Sequence, residues 1–94
     1  MFFIEWKQIN NNRCRLFYAG KTNQPGMYVA DVWSDPGDET YWNWKIWIYP
    51  ANRYLIIRES DFARSSLERT KEEVESILKE YGYHVLNHKQ INLL

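Results

Sequence analysis

Thr40-Tyr-Trp-Asn-Trp-Lys-Ile-Trp-Ile-Tyr49 holds three of the chain's five tryptophans and two of its seven tyrosines. Aromatic and β-branched residues fit a pleated, half-buried surface, and side chains alternate across a strand with a period of two. The even positions, Trp42, Trp44, Ile46 and Ile48, are apolar throughout. The odd positions, Tyr41, Asn43, Lys45, Trp47 and Tyr49, mix rings with polar tips. A helix would scatter both sets around its circumference. The stretch therefore reads as a strand with one face for a core and one amphipathic face. Pro50 ends it, because proline cannot donate to a ladder. Asp35-Pro-Gly-Asp38 precedes it as a turn, with proline presetting φ and glycine permitting positive φ.

The flanking segments show the same period. Phe2 to Lys7 alternates Phe2, Ile4, Trp6 against Phe3, Glu5, Lys7 and predicts a first strand. Asn10-Asn-Asn12 is a turn, and Arg13 to Ala19 a second strand with Cys14, Leu16, Tyr18 opposite Arg13, Arg15, Phe17. Gly20 to Gly26 reads as a loop. Met27 to Ser34 is a third strand, with Tyr28, Ala30, Val32 opposite Met27, Val29, Asp31, Trp33. Arg53 to Arg58 follows the central strand as a fifth. Short connections favour a sequential antiparallel meander.

Beyond the fifth strand the period changes. Leu67, Lys71, Val74, Ile77, Leu78 and Tyr81 recur at three- and four-residue steps, which predicts a helix from Ser66 to Tyr81 with one apolar stripe. Ser65-Ser-Leu-Glu68 fits a capping box, and Gly82 suits the residue after the helix. A C-terminal extension, 83–94, includes a short strand or docked segment at Tyr83 to Leu86. A helix with one apolar stripe covers one face of a sheet. The expected fold is α+β, a single domain over 1–94: an antiparallel β-meander of about five strands (2–58) with one C-terminal amphipathic helix packed on one face. The other face stays open or meets a partner.

Composition narrows the function classes. The chain has 94 residues, enough for one modest core, and its 17% aromatic content brings large buried area per residue. Twelve basic residues balance twelve acidic ones, which argues against a general polyanion binder. Met1-Phe-Phe-Ile4 is too short for a signal-peptide core, no apolar run approaches a membrane span, and the lone Cys14 makes no internal disulfide. These features fit a cytoplasmic setting.

The chemistry-bearing residues form no enzyme signature. Gly20-Lys-Thr22 lacks the glycine spacing of a phosphate loop. His84 and His88 share no helix and have no third ligand, so no metal site is expected. Cys14 among apolar neighbours reads as an inert buried thiol. Asp35, Asp38 and Glu39 lack the spacing of a calcium loop. No catalytic residue and no cofactor is expected. Charge is nonetheless uneven. Residues 1–30 carry Lys7, Arg13, Arg15 and Lys21 against Glu5, a balance of +3, and residues 31–41 carry Asp31, Asp35, Asp38 and Glu39, a balance of −4.

Trp42-Asn-Trp-Lys-Ile-Trp47 and Ser66-Leu-Glu-Arg-Thr-Lys-Glu-Glu-Val-Glu75 resemble the strand and helix of small phage- or prophage-encoded sheet-plus-helix proteins. Threonine stands at position 70, where such helices often carry alanine. The resemblance implies a compact, non-enzymatic accessory protein, one that inhibits a host defence complex, and it transfers no catalytic residues. Two functional expectations follow from the residues. The first is a protein-binding module, homodimerisation included, that uses the open sheet face or an edge strand, with Trp33, Tyr41, Trp47 and Tyr49 as anchors and Lys45 and Arg58 as rim, because tryptophan and tyrosine are enriched at interface hot spots. The alternative is weak single-stranded nucleic-acid binding through Arg13, Arg15, Phe17 and Lys21. The zero net charge favours the first.

Overall fold

A computed structural model describes residues 2–20, 27–48, 56–61, 63 and 66–86. The elements in chain order are β1 (Phe2–Asn10), β2 (Arg13–Tyr18), β3 (Tyr28–Asp35), β4 (Asp38–Ile48), β5 (Ile56–Glu59), α1 (Leu67–Glu80) and β6 (Tyr83–Val85). The expected strand pieces at Tyr49 and 53–55, and residues 87–94, lie outside the described residues.

β1 to β5 pair antiparallel in sequence order, as the short connections require. The sheet is not a pure meander of five strands. β6 adds to the outer edge of β1 and runs parallel to it, which gives a mixed, strongly curled sheet of order β5-β4-β3-β2-β1-β6. Parallel pairing needs a crossover, and α1 supplies it. Its fourteen residues make a helix about 21 Å long. That is close to the span of roughly 24 Å between the edges of a six-stranded sheet with strands ~4.8 Å apart.

Register divides the sheet into two faces. Trp44 lies opposite Val32 and Ile46 opposite Ala30, and those pair on with Cys14 and Leu16. Ile4, Leu16, Ala30, Val32, Trp42, Trp44, Ile46, Ile48 and Tyr83 form one buried cluster with Val74 and Leu78 of α1. The even residues of β4 therefore face the helix, as their uniform apolarity requires. β3 departs from strict alternation. A register shift between Leu16 and Phe17 puts Val29 into the core and turns Tyr28 to the opposite face. One extra residue at a bulge re-aims the side chains beyond it, so the expected grouping of Tyr28 with Ala30 and Val32 fails.

α1 begins after Ser66, whose Oγ accepts the Arg69 N–H at 3.3 Å. With the cap at Ser66, the third helical residue is Arg69, which has no carboxylate to reach back, so the expected box with Glu68 does not close. Thr70, off the expected stripe, is fully buried and donates its hydroxyl to the Ser66 carbonyl at 2.7 Å. Lys71, on the stripe by spacing, stretches over the Trp6 ring with Nζ 5.2 Å from its centroid. Trp6 Nε1 in turn donates to Glu75 Oε1 at 2.7 Å, which fastens the helix to β1. Gly82, at φ +88°, closes the helix with its N–H on the Lys79 carbonyl. Among the described residues no helix is long and apolar enough to cross a membrane.

Candidate functional site

The odd residues of β4 organise the other face, which no described helix covers. Two cross-strand rows run over it. In the first, Ile57 of β5 pairs with Trp47 of β4, and Phe17 of β2 pairs with Tyr28 of β3. The Trp47 and Tyr28 rings meet edge to face with centroids 5.3 Å apart, and the Tyr28 and Phe17 rings do so at 5.6 Å. Directly opposed side chains are the units that stabilise a sheet, so this row is a second, smaller packed layer. Phe17 within it has no exposed surface.

The second row is charged. Glu59, Lys45, Asp31, Arg15 and Lys7 stand opposite one another from β5 to β1. Asp31 is the centre of this row. Arg13 Nη1 lies 3.4 Å from Asp31 Oδ2 and Arg15 Nε 3.5 Å from Oδ1. The second contact is an ion pair at a separation long for a hydrogen bond. Burial raises the Asp31 carboxyl above its ordinary range, and the two guanidinium groups offset only part of that. The cations also lie over rings: Arg15 over Tyr28 at 4.5 Å, Lys7 over Phe17 at 5.3 Å and Arg13 over Trp33 at 5.9 Å.

Of the expected anchors, Tyr41 is 54% exposed, while Trp33 and Trp47 are half-buried on the same face. Lys45 joins them, held between Asp31 and Glu59. Arg58 does not. It stands opposite Ile46, on the helix-bearing face of the edge strand. Tyr49 lies outside the described residues. Ile57, 56% exposed beside Trp47, was missing from the expected set. Its placement depends on β5 being the sheet edge, which five sequential strands already imply.

For the nucleic-acid set, Arg13 and Arg15 both turn toward Asp31, Phe17 is buried, and Lys21 lies outside the described residues. A buried ring offers no face for a base to stack on. Cys14 is buried under the helix with its thiol pushed up by desolvation, the environment of an unreactive cysteine. The Tyr83 phenol, likewise buried and 3.4 Å from the Tyr18 hydroxyl, is also raised. His84 meets Phe3 edge to face at the β6 edge. Among the described residues no three His, Cys, Asp or Glu side chains gather as metal ligands. Comparison with protein-family models, curated proteins and solved structures gives no match.

Proposed function

We propose that this chain is a non-enzymatic protein-binding module that uses the face opposite the helix. One observation carries the reading. Ile57 stands opposite half-buried Trp47, Trp33 is half-buried on β3, and Tyr41 and Ile57 are each more than half exposed, on a face that no described element covers. Large apolar side chains grouped in this way mark interaction surfaces, and aromatic anchors ringed by charge are the usual composition of a hot spot. The charged row supports a protein partner over a polyanion, because acids alternate with bases along most of it and Asp31 already engages both arginines. The resemblance to phage-encoded accessory proteins extends the reading to a target: a host defence complex that the module inhibits by occupying it. A cytoplasmic location and a homodimer through the same face belong to this proposal.

The test is recovery of partners from cells that make the protein, compared between the native chain and its Tyr41→Ala and Trp33→Ala variants. Both should fold, since neither position is buried, and both should lose partners by tenfold or more, as hot-spot truncations of about 2 kcal/mol do. Light scattering separates a monomer from a dimer. Partners retained in full by both variants contradict the proposal. Single-stranded oligonucleotides that bind at low salt and dissociate at high salt, with Arg13→Ala and Arg15→Ala weakening them, would favour the alternative.

A further inference from the structure

β5 is a terminal strand of the sheet, and its hydrogen bonds show which backbone groups are spent. The Ser60 N–H donates to the Trp44 carbonyl at 3.0 Å, and the Trp44 N–H to Ser60 Oγ at 3.2 Å. Bonded pairs alternate along an antiparallel ladder. Arg58, opposite Ile46, and Ile56, opposite Ile48, therefore point their N–H and C=O groups at β4. Those of Ile57 and Glu59 point outward. Ile57, Arg58 and Glu59 are all exposed, and Ile57 puts an apolar side chain beside this open backbone. Proteins usually blunt such edges with charge, proline, a bulge or a short strand, because a free row of donors and acceptors recruits another strand. β5 is short and carries Arg58 and Glu59, but these charges are of opposite sign, so they select a complementary segment rather than repel every strand.

We infer that the outer edge of β5 is a strand-addition site for an extended segment of another protein. This inference deepens the protein-binding reading and rests on it. Cross-strand complementarity states the chemistry of the segment. An antiparallel strand would set an apolar side chain opposite Ile57, an acid opposite Arg58 and a base opposite Glu59. Read from its N-terminus, the segment runs basic, acidic, apolar. β4 shows two of these three positions on the inner edge, where Lys45 stands opposite Glu59 and Trp47 opposite Ile57. A second copy of β5 fits less well. Pairing Ile57 with Glu59 of the copy would put Arg58 directly against Arg58. Pairing Ile57 with itself would set Arg58 opposite Ile56 of the copy and leave its charge unmet.

The probe is a capped pentapeptide, threonine-lysine-glutamate-valine-threonine, titrated into the full chain while backbone amide shifts are followed by NMR. Shifts centred on the amides of Ile57 and Glu59 are expected. Methylating the valine nitrogen, which would face Ile57, should weaken binding about tenfold, as losing a hydrogen bond with its partner left unmet does. Exchanging the lysine and glutamate of the peptide should also weaken it. Ile57→Pro removes only an outward N–H and should abolish binding with the β4 ladder intact. If that variant fails to fold, Ile57→Lys blocks the edge without touching the ladder. No shift at millimolar peptide overturns the inference, as does concentration-dependent self-association through the β5 amides. Shifts confined to Trp33, Tyr41 and Lys45 overturn it too, while leaving the protein-binding reading standing.

Discussion

Trp44 and Trp47 sit three residues apart on one strand and do different work. Trp44 is 4% exposed in the core, yet its Nε1 finds no hydrogen-bond partner among the described residues. Truncating a buried aromatic costs about 3–5 kcal/mol, a large part of the 5–15 kcal/mol that keeps a domain folded. Trp44→Ala should unfold much of the population. Trp44→Phe keeps most of the ring and deletes the unmet donor, so its cost should stay below about 1.5 kcal/mol. Chemical denaturation measures both, and equal losses would mean that the indole nitrogen is satisfied in solution. Asp31 makes a separate prediction with a definite sign. Its carboxyl is raised from 3.8 in the fold, so between 3.8 and the folded value the native state holds more protons than the unfolded chain. Its contribution is fully present at low pH and is lost as pH rises through that window. The stability of the native chain relative to Asp31→Asn should therefore decline across the window and level off above it. An increase would show that Arg13 and Arg15 outweigh desolvation.

At the scale of elements, α1 and the two sheet edges set the testable points. Ser66→Ala removes the N-cap and should cost about 1 kcal/mol, while Ser66→Asp should restore most of it, because aspartate accepts the same N–H and favours the helix dipole. A double-mutant cycle of Trp6→Phe and Glu75→Gln should show a favourable coupling of roughly 1 kcal/mol or more, the range of a hydrogen bond to a charged acceptor. In β5, amide exchange should be slow at Arg58 and fast at Ile57 and Glu59. The strands and helix were legible because each carries a periodic apolar pattern, and the helix site on Trp42, Trp44 and Ile46 followed from their face being apolar throughout. Three features were not legible. The bulge at Val29 has no signature in a run of β-formers. Thr70 counts as polar by type, yet its hydroxyl bonds its own helix and its methyl packs. β6 pairs at three residues with a strand at the far end of the chain, a contact no local pattern encodes.

Across the whole molecule the fold separates an apolar interior between sheet and helix from a sheet face built of aromatic and charged rows. The sequence indicated that two-sided design most clearly in β4, through its even and odd positions. It did not show how far the second face satisfies itself. Phe17, Arg13 and Arg15 looked available to a ligand as letters, but register brings Tyr28 onto Phe17 and Asp31 between the arginines. Tyr41 is exposed, in keeping with the amphipathic odd positions of β4. Arg58 was grouped wrongly because its face depends on the β4–β5 register. The central claim is that the uncovered face, not the helix, meets the partner. Photocrosslinking tests it most directly: a photoreactive phenylalanine analogue replaces Tyr41 in one variant and Glu80, on the exposed side of α1, in another, and each is irradiated in cells that make the protein. Crosslinks to a discrete protein from position 41, with none from position 80, are expected. Crosslinks from position 80 alone, or from neither position, would contradict the claim.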